Sequence, residues 1–279
     1  MKSELLQDIQ EQKDKVGLVI DADSQIYLSA YRFRDTDDIE LIYAEFWMRI
    51  KSIETEIWKH YQVDDVVIAI TSKKNFRHKL TDKWKANRKA KDEKDLTEKQ
   101  LEAQRSAEKL KKLVSETKKL LASRMSKSSS YRVSVSNLAE ADDTFIDYTN
   151  NKGYVGVTID SDCLKQSKMD CFNPKSWKWS DGNSDEDIFF HIIYDCLQGG
   201  HNNAISVKGC GKVCAEKFIK ELEVGEKGFV DFVDLFEVPE DGLLSYQLND
   251  CSQIKDGVLK LVTIEELTAK FDLYCEEKF

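Results

Sequence analysis

Apolar and polar positions alternate along the chain in blocks that predict strands and helices in turn. Three uninterrupted apolar runs stand out: VGLVI at 16–20, VVIAI at 66–70 and YVGVTI at 154–159. Runs of this length are typical of strands buried on both faces, as in a parallel sheet. Between the first two runs, apolar residues from Phe46 to Ile57 recur at helical spacing and predict a crossover helix within 39–61. The alternation predicts an α/β fold.

A basic segment follows the second predicted strand. Its first part, KKNFRHKLTDKWKANRKAKDEK, interleaves Phe76 and Trp84 with lysine and arginine. Thr97 and Gln100 then have the spacing of a helix capping box, and apolar residues recur at helical spacing as far as Leu121. The run SSSYRVSVS at 128–136 predicts a short strand that returns the chain to the sheet.

The pattern changes near residue 195. The stretch GGHNNAISVKGCGKVCAEKFIKEL places Gly209 and Gly211 ahead of a predicted helix that carries Lys212. The residues after it predict short helices and turns. We therefore predict an α/β domain over 1–195, followed by a small helical module over 196–279.

The composition of the chain argues against several classes of protein. Of 279 residues, 41% are hydrophobic and 33% are charged, which excludes global disorder. No apolar run approaches the ~20 residues of a membrane span. The first 15 residues lack the apolar core of a signal peptide, so we expect a cytoplasmic protein. Seven cysteines without a CxxC motif predict free thiols rather than a disulfide framework.

The net charge of −9 conceals a strong asymmetry. Residues 73–127 contain 19 Lys and Arg against 8 Asp and Glu, a local charge of +11, so that the rest of the chain carries −20. Such a division indicates a basic surface that faces a polyanion. A solvated helical face is the alternative that charge alone leaves open.

Acidic residues collect where the predicted strands end. Three groups stand out: Asp21 with Asp23, Asp160 with Asp162, and Glu140 with Asp142 and Asp143. Each alone also fits a turn or the first turn of a helix. Together they lie where open parallel sheets bind ligands. Close carboxylates repel one another unless a cation compensates, and oxygen ligands favour Mg²⁺ or Mn²⁺. We predict one or two such ions, which cleave nucleic acid held by the basic segment.

Five motifs occur in an order that resembles the flap endonuclease/5′→3′ exonuclease family: VGLVIDADSQIY, NFRHKLTDKWKANRK, AEADD, VTIDSD and GGHNNAISVKGCGKVCAEKF. The likeness covers about residues 16–220 and is strongest to the bacteriophage-type 5′→3′ exonucleases and phage RNase H. It implies a PIN-like parallel-sheet nuclease domain, a helical arch at about 73–127, and a helix–three-turn–helix module that grips duplex. The implied activity is metal-dependent 5′→3′ exonuclease or structure-specific 5′ nuclease action on duplex or flapped DNA, or on an RNA/DNA hybrid. Replication proteins are the implied partners, and the host cytoplasm is the implied location if the chain is phage-encoded.

The resemblance also implies roles for individual residues. A first metal would be held by Asp21, Glu140 and Asp142, with Asp143 beside them, and a second by Asp160 and Asp162, which share Asp142. Lys85 and Arg88 would contact the scissile phosphate. The remaining predicted nucleic-acid contacts come from Tyr27, which would stack on a terminal base, from Arg77 and Trp84 in the basic segment, and from Gly209, Gly211 and Lys212, where the glycine loop would also hold K⁺.

Three carboxylates of the family pattern are missing. Thr71 or Ser72 follows the second strand, and Gly200 and Asn203 stand at two further positions. A DNA-structure-binding protein with weakened catalysis therefore remains an alternative.

A haloacid-dehalogenase-like phosphatase is a second alternative. In it, Asp21 would be the nucleophile and Asp23 the acid/base. Thr71 or Ser72 would then bind phosphate, and Asp160 and Asp162 would bind Mg²⁺. This hypothesis gives no role to the basic segment.

Overall fold

The computed structural model describes residues 13–71, 75–82, 84, 97–125, 131–135, 138–199 and 205–275. The chain forms two compact units. The first comprises Met1–Ser72, Ala90–Ser136 and Glu140–Gly182, and the second comprises Lys73–Lys89, Asn137–Ala139 and Asn183–Phe279. The domain boundary at residue 195 stays a prediction. In the described residues, no helix has the length and hydropathy that a membrane span requires.

The first unit is built on a six-stranded sheet. Its strands are β1 (Lys15–Asp21), β2 (Gln62–Ile70), β3 (Arg132–Val135), β4 (Val155–Val157), β5 (Cys171–Asn173) and β6 (Lys178–Ser180). They are ordered β3-β2-β1-β4-β5-β6, and all neighbours are parallel except β5 and β6. The three apolar runs thus coincide with parts of β1 and β2 and with β4, and the predicted α/β fold is confirmed.

Helices connect these strands and continue into the second unit. In chain order they are α1 (Ala22–Arg32), α2 (Ile39–Ile57), α3 (Arg77–Leu80), α4 (Glu98–Met125), α5 (Ala141–Lys152), α6 (Ser161–Gln166), α7 (Asp185–Gln198), α8 (Lys212–Glu223), α9 (Phe229–Val233), α10 (Glu240–Asn249) and α11 (Ile264–Cys275). The predicted capping box starts α4, since the Gln100 N–H donates to Thr97 Oγ1 at 3.4 Å and the Thr97 N–H donates to Gln100 Oε1 at 2.9 Å.

The sheet is covered on both faces, which explains the uninterrupted apolar runs in β1, β2 and β4. Ile20 and Ile68 pack with Phe46 of α2 in one buried cluster. Gly156 of β4 lies on the opposite face of the sheet, where an added Cβ would come within 2.4 Å of the Phe145 ring of α5. Successive strand residues face opposite sides of a sheet, so both layers of helices bury apolar side chains.

The strand order places a crevice at the end of β1. The chain moves from β1 to β2 and β3 on one side, and then returns to β4 on the other side of β1. In open parallel sheets such a reversal leaves a crevice at the carboxyl ends of the two flanking strands, where ligands bind. Asp21 ends β1, and Asp160 follows β4. The topology therefore brings two of the predicted acidic groups to one edge.

The second unit has a core of its own, rich in aromatic residues. Phe189 of α7 lies edge to face with Phe271 of α11, with ring centroids 5.0 Å apart. Tyr246 of α10 and Phe232 of α9 are buried in the same cluster. Beside these helices, β7 (Ile254–Lys255) and β8 (Val258–Leu259) form a small antiparallel hairpin. The sequence predicted the helices and turns of this region but not the hairpin.

Candidate active site

Asp21 joins β1 to α1 because its side chain caps the helix. Its Oδ1 accepts hydrogen bonds from the backbone N–H groups of Asp23 and Ser24, at 3.1 and 3.4 Å. The residue is only 2% exposed. Burial, followed by repulsion from Asp23, and a smaller repulsion from Asp160, raises the pKa of Asp21 to about 6. The carboxylate is thus held rigidly among other negative charges.

A buried threonine links the ends of β1 and β4. Thr158 Oγ1 donates to Asp21 Oδ2 at 3.1 Å and accepts from the backbone N–H of Asp160 at 3.0 Å. Asp160 in turn caps α6, since its Oδ1 accepts from the Asp162 N–H at 2.8 Å. Sequence analysis missed Thr158, and the available signal was one hydroxyl residue in the apolar run YVGVTI. This hydroxyl fixes Asp21 and Asp160 relative to each other.

The third acidic group lies at the start of α5. The Glu140 N–H donates to Asp143 Oδ2 at 2.8 Å, so the fully buried Asp143 supports the first turn of the helix. Asp142 is half-buried. Burial, followed by repulsion from Asp21, Asp160 and then Glu140, raises the pKa of Asp142 well above its usual range. The structure therefore brings carboxylates from all three predicted groups within electrostatic reach.

Asp23 is neutralised directly by a cation. Its Oδ2 forms an ion pair with Lys118 Nζ of α4 at 2.6 Å, and its Oδ1 accepts from the Thr71 N–H at 3.3 Å. Thr71 Oγ1 accepts from the N–H of Ala141 at 2.9 Å, and so supports the start of α5. Thr71, which with Ser72 is one of two candidates for the position where the resemblance implies a carboxylate, thus has a structural role. Sequence analysis had no signal that singled out Lys118 from the other lysines of α4.

The structure buries two of the residues that were predicted to contact nucleic acid, Arg77 and Trp84. Arg77 is 2% exposed, and its guanidinium donates to the carbonyl oxygens of Leu248 and Asp250, at 2.9 and 3.2 Å. Trp84 is 5% exposed and belongs to the apolar core of the second unit. A guanidinium that donates to two backbone carbonyl oxygens and a ring in the apolar core favour structural roles over contact with phosphate or base. Both residues instead stabilise the second unit.

The remaining predicted contacts lie on the surface. Tyr27 is half exposed on α1. Gly209 has φ +78°, a left-handed conformation that favours glycine. Gly211 caps α8, and an added Cβ there would meet nothing within 4 Å. Lys212 begins α8 with its side chain exposed, 3.6 Å from Glu216. Lys85 and Arg88, like Ser72, Gly200 and Asn203, lie outside the described residues.

The chain resembles known proteins in structure but not detectably in sequence. No protein-family model matches the chain, and no curated protein matches its sequence. Solved structures do match. The T5 5′-exonuclease with bound zinc is 15% identical, with a TM-score of 0.60 over 94% of this chain and 100% of that one. The bacteriophage T5 D15 flap endonuclease, in a complex with DNA and metal ions, is 16% identical, with a TM-score of 0.58 over 93% of this chain and 96% of that one. This chain has the 5′-nuclease fold.

The acidic cluster has the donor chemistry of a divalent-cation site. Its donors are carboxylate oxygens, which Mg²⁺ and Mn²⁺ prefer, and their repulsion is the kind that a cation relieves. In the described residues, no three His, Cys, Asp or Glu side chains already form a metal-holding group. The donor chemistry of the cluster fits a divalent cation.

Proposed function

We propose that this protein is a divalent-metal-dependent 5′→3′ exonuclease or structure-specific 5′ nuclease that acts on duplex or flapped DNA. The observation that carries the proposal is the mutual repulsion of Asp21, Asp142 and Asp160 at the crevice beside β1. Burial of uncompensated carboxylates is unfavourable, and a structural role does not require it. The shared fold with T5 5′-exonuclease supports the same conclusion.

The residues of the cluster divide into ligands and supports. Asp21, Glu140 and Asp142 would hold the first cation, and Asp160 with Asp162 the second. A bound divalent cation supplies charge to the scissile phosphate and lowers the pKa of an attacking water. Thr158 positions Asp21 against Asp160, and Asp143 positions Glu140. These supports restrict the movement of Asp21 and of the start of α5, which favours a defined geometry at the reacting phosphate.

Nucleic acid binding is proposed for other surfaces of the molecule. Lys85 and Arg88 would contact the scissile phosphate, and Tyr27 would stack on a terminal base. The loop of Gly209 and Gly211 would follow the duplex backbone, with a K⁺ ion, while Lys212 adds charge. An RNA strand in a hybrid is a further candidate substrate, and replication proteins are candidate partners. Contacts to phosphate carry no base information, so the proposed enzyme selects structure rather than sequence.

Weakened catalysis is the second candidate function, and two observations favour it. Thr71 binds the start of α5 where a ligand carboxylate would otherwise stand, and Lys118 neutralises Asp23. Fewer ligand charges mean weaker Mg²⁺ binding. If catalysis persists, we expect half-saturation at high Mg²⁺ concentration and stronger activity with Mn²⁺, which binds most protein ligand sets more tightly.

The test is cleavage of two DNA substrates, a blunt duplex and a 5′ flap, each labelled at either the 5′ or the 3′ end. Reactions contain Mg²⁺, Mn²⁺ or EDTA. Nuclease action predicts metal-dependent release of labelled product from the 5′ end, with 3′-labelled strands shortened only from their 5′ side. Binding of the DNA without cleavage in either metal would support the alternative of a DNA-structure-binding protein with weakened catalysis. A phosphorylated Asp21 formed from a small phosphate ester would instead support the phosphatase hypothesis.

A further inference from the structure

Helix α1 carries two aromatic rings on its surface, and a cation just after its end extends them into a column. Tyr27 and Tyr31 are 47% and 51% exposed, and their ring centroids are 6.4 Å apart with planes inclined by 23°. The guanidinium carbon of Arg34 lies 4.3 Å from the centre of the Tyr31 ring. Tyr27, Tyr31 and Arg34 are called the α1 column below. Only Tyr27 has a role in the proposed function, so Tyr31 and Arg34 are unexplained.

The column has features of a binding surface rather than of a core. Both rings remain about half exposed although they contact each other. Arg34 donates to the backbone carbonyl of Tyr31 at 3.1 Å, and in the part of the chain that is described no carboxylate forms an ion pair with it. Of the acidic residues that follow, Asp37 pairs with Lys109 at 3.0 Å and Asp38 caps α2, and among the described contacts Asp35 forms no ion pair with Arg34. The positive charge of Arg34 is therefore available to an anion.

Unpaired nucleotides have the chemistry that this column would recognise. Bases stack on aromatic rings without regard to sequence, and a guanidinium binds phosphate and also stacks. Along a helix, four residues advance about 6 Å, which is close to two stacked base steps of about 3.4 Å each. Asp21 caps the start of α1, and Tyr27, Tyr31 and Arg34 follow at increasing distance along the chain, so the column extends away from the acidic cluster. A nucleic-acid strand stacked on the column would therefore extend away from the proposed site of cleavage.

We propose that Tyr31 and Arg34 extend the stacking position at Tyr27 into a binding site for an unpaired tail of two or more nucleotides at the end of a duplex. The inference rests on the proposed nuclease function in one respect only, which is that the ligand is a nucleic acid. Tyr31 supplies the second stacking surface, and Arg34 supplies the charge for a tail phosphate. The site therefore distinguishes tailed from blunt ends.

The test measures binding without cleavage. Fluorescence anisotropy in EDTA follows duplexes with tails of zero, one, two or four nucleotides, at either the 5′ or the 3′ end. Tyr31→Ala should weaken binding of the four-nucleotide tail about tenfold, from the roughly 1–3 kcal/mol of one stacked base. Binding of the blunt duplex should change less than twofold. Tyr31→Phe retains the ring and should bind as the parent does, and Arg34→Ala should weaken tailed duplexes and reduce the salt dependence of their binding.

Trp58→Ala is the matched control, because Trp58 is a 55% exposed aromatic residue outside the column. It should bind every substrate as the parent does. Parent-like binding of tails by Tyr31→Ala overturns the inference, as does an equal loss on blunt and tailed duplexes. A change of oligomeric state in Tyr31→Ala, with unaltered tail binding, would instead make the column an interface between copies of the chain.

The two proposals fail separately. If the parent binds tails through Tyr31 but cleaves nothing, the nuclease function fails and the tail site stands. If the parent cleaves and Tyr31→Ala binds tails normally, the tail site alone fails. If the parent binds no nucleic acid, both fail. The tail position that depends on Tyr31, 5′ or 3′, identifies the strand that the column holds.

Discussion

Replacing Thr158 with valine removes one buried hydroxyl and preserves the shape of the side chain. In the structure this hydroxyl donates to Asp21 Oδ2 at 3.1 Å and accepts from the Asp160 N–H at 3.0 Å. Thr158→Val leaves both groups without this partner. Because the hydroxyl joins the ends of β1 and β4, the change tests stability and site geometry together.

The magnitude follows from the two lost bonds. A hydrogen bond to a charged group contributes about 1.5–3 kcal/mol, and a buried polar group without a partner costs about 1–3 kcal/mol. The N–H belongs to half-buried Asp160, where water recovers part of its loss. We expect Thr158→Val to lower the free energy of unfolding by about 2–4 kcal/mol, out of a typical 5–15 kcal/mol. The melting temperature should fall by about 5–10 °C.

Thermal unfolding, monitored by circular dichroism, measures the loss of stability. The rate of single-turnover cleavage reports on the geometry of the proposed active site. Displacement of Asp21 from Asp160 should slow cleavage at least tenfold. Thr158→Ser retains the hydroxyl and should recover most of the rate. The control is Thr149→Val, since Thr149 is equally buried but bonds within its own helix. A Thr158→Val protein that melts like this control and cleaves like the parent would refute the role given to Thr158.

Three further predictions concern other contacts. Hydrogen bonds from Arg132, and then from Tyr154, lower the pKa of Asp65. Ionised Asp65 therefore stabilises the folded protein above its unfolded pKa of about 3.9, and this contribution is lost as pH falls through the folded pKa. Urea unfolding of Asp65→Asn should show a deficit of less than about 1 kcal/mol at pH 7 that shrinks as pH falls below about 3.9; a pH-independent deficit contradicts this. Arg77→Met should lower the free energy of unfolding by about 2–3 kcal/mol, and an unchanged melting curve would exclude its structural role. Lys118→Met removes one positive charge beside the cluster and should tighten Mn²⁺ binding severalfold in calorimetry, whereas weaker binding would show that Lys118 supports the site.

The sequence predicts most of the first unit because its signals are local. The strands β1, β2 and β4 are apolar because both faces are buried, and Thr97 and Gln100 mark the start of α4 through their own hydrogen bonds. The order of five motifs predicted the fold, which the structure comparison confirms. By contrast, β5, β6 and the hairpin of β7 and β8 have only two or three residues each and lack a detectable period.

Contacts between distant residues explain what the sequence did not predict. Arg77 stands in a basic run and looks like a surface residue, but its partner carbonyl at Leu248 is 171 positions away. Lys118 resembles the other lysines of α4 until the fold sets it against Asp23. Thr158 acquires its role only when β4 lies beside β1. Such roles depend on tertiary structure, which local patterns do not encode.

The central claim is that the acidic cluster carries metal-dependent cleavage, and its most direct test compares two variants on one helix. Asp142→Asn alters the cluster, whereas Asp147→Asn changes a carboxylate of α5 that bonds to Asn151 and Lys152. Single-turnover cleavage of a 5′-labelled flap in Mn²⁺ is the measurement, with flap affinity in EDTA recorded in parallel. We expect Asp142→Asn to lose at least a hundredfold in rate while affinity changes little, and Asp147→Asn to cleave like the parent. Parent-like cleavage by Asp142→Asn would contradict the account.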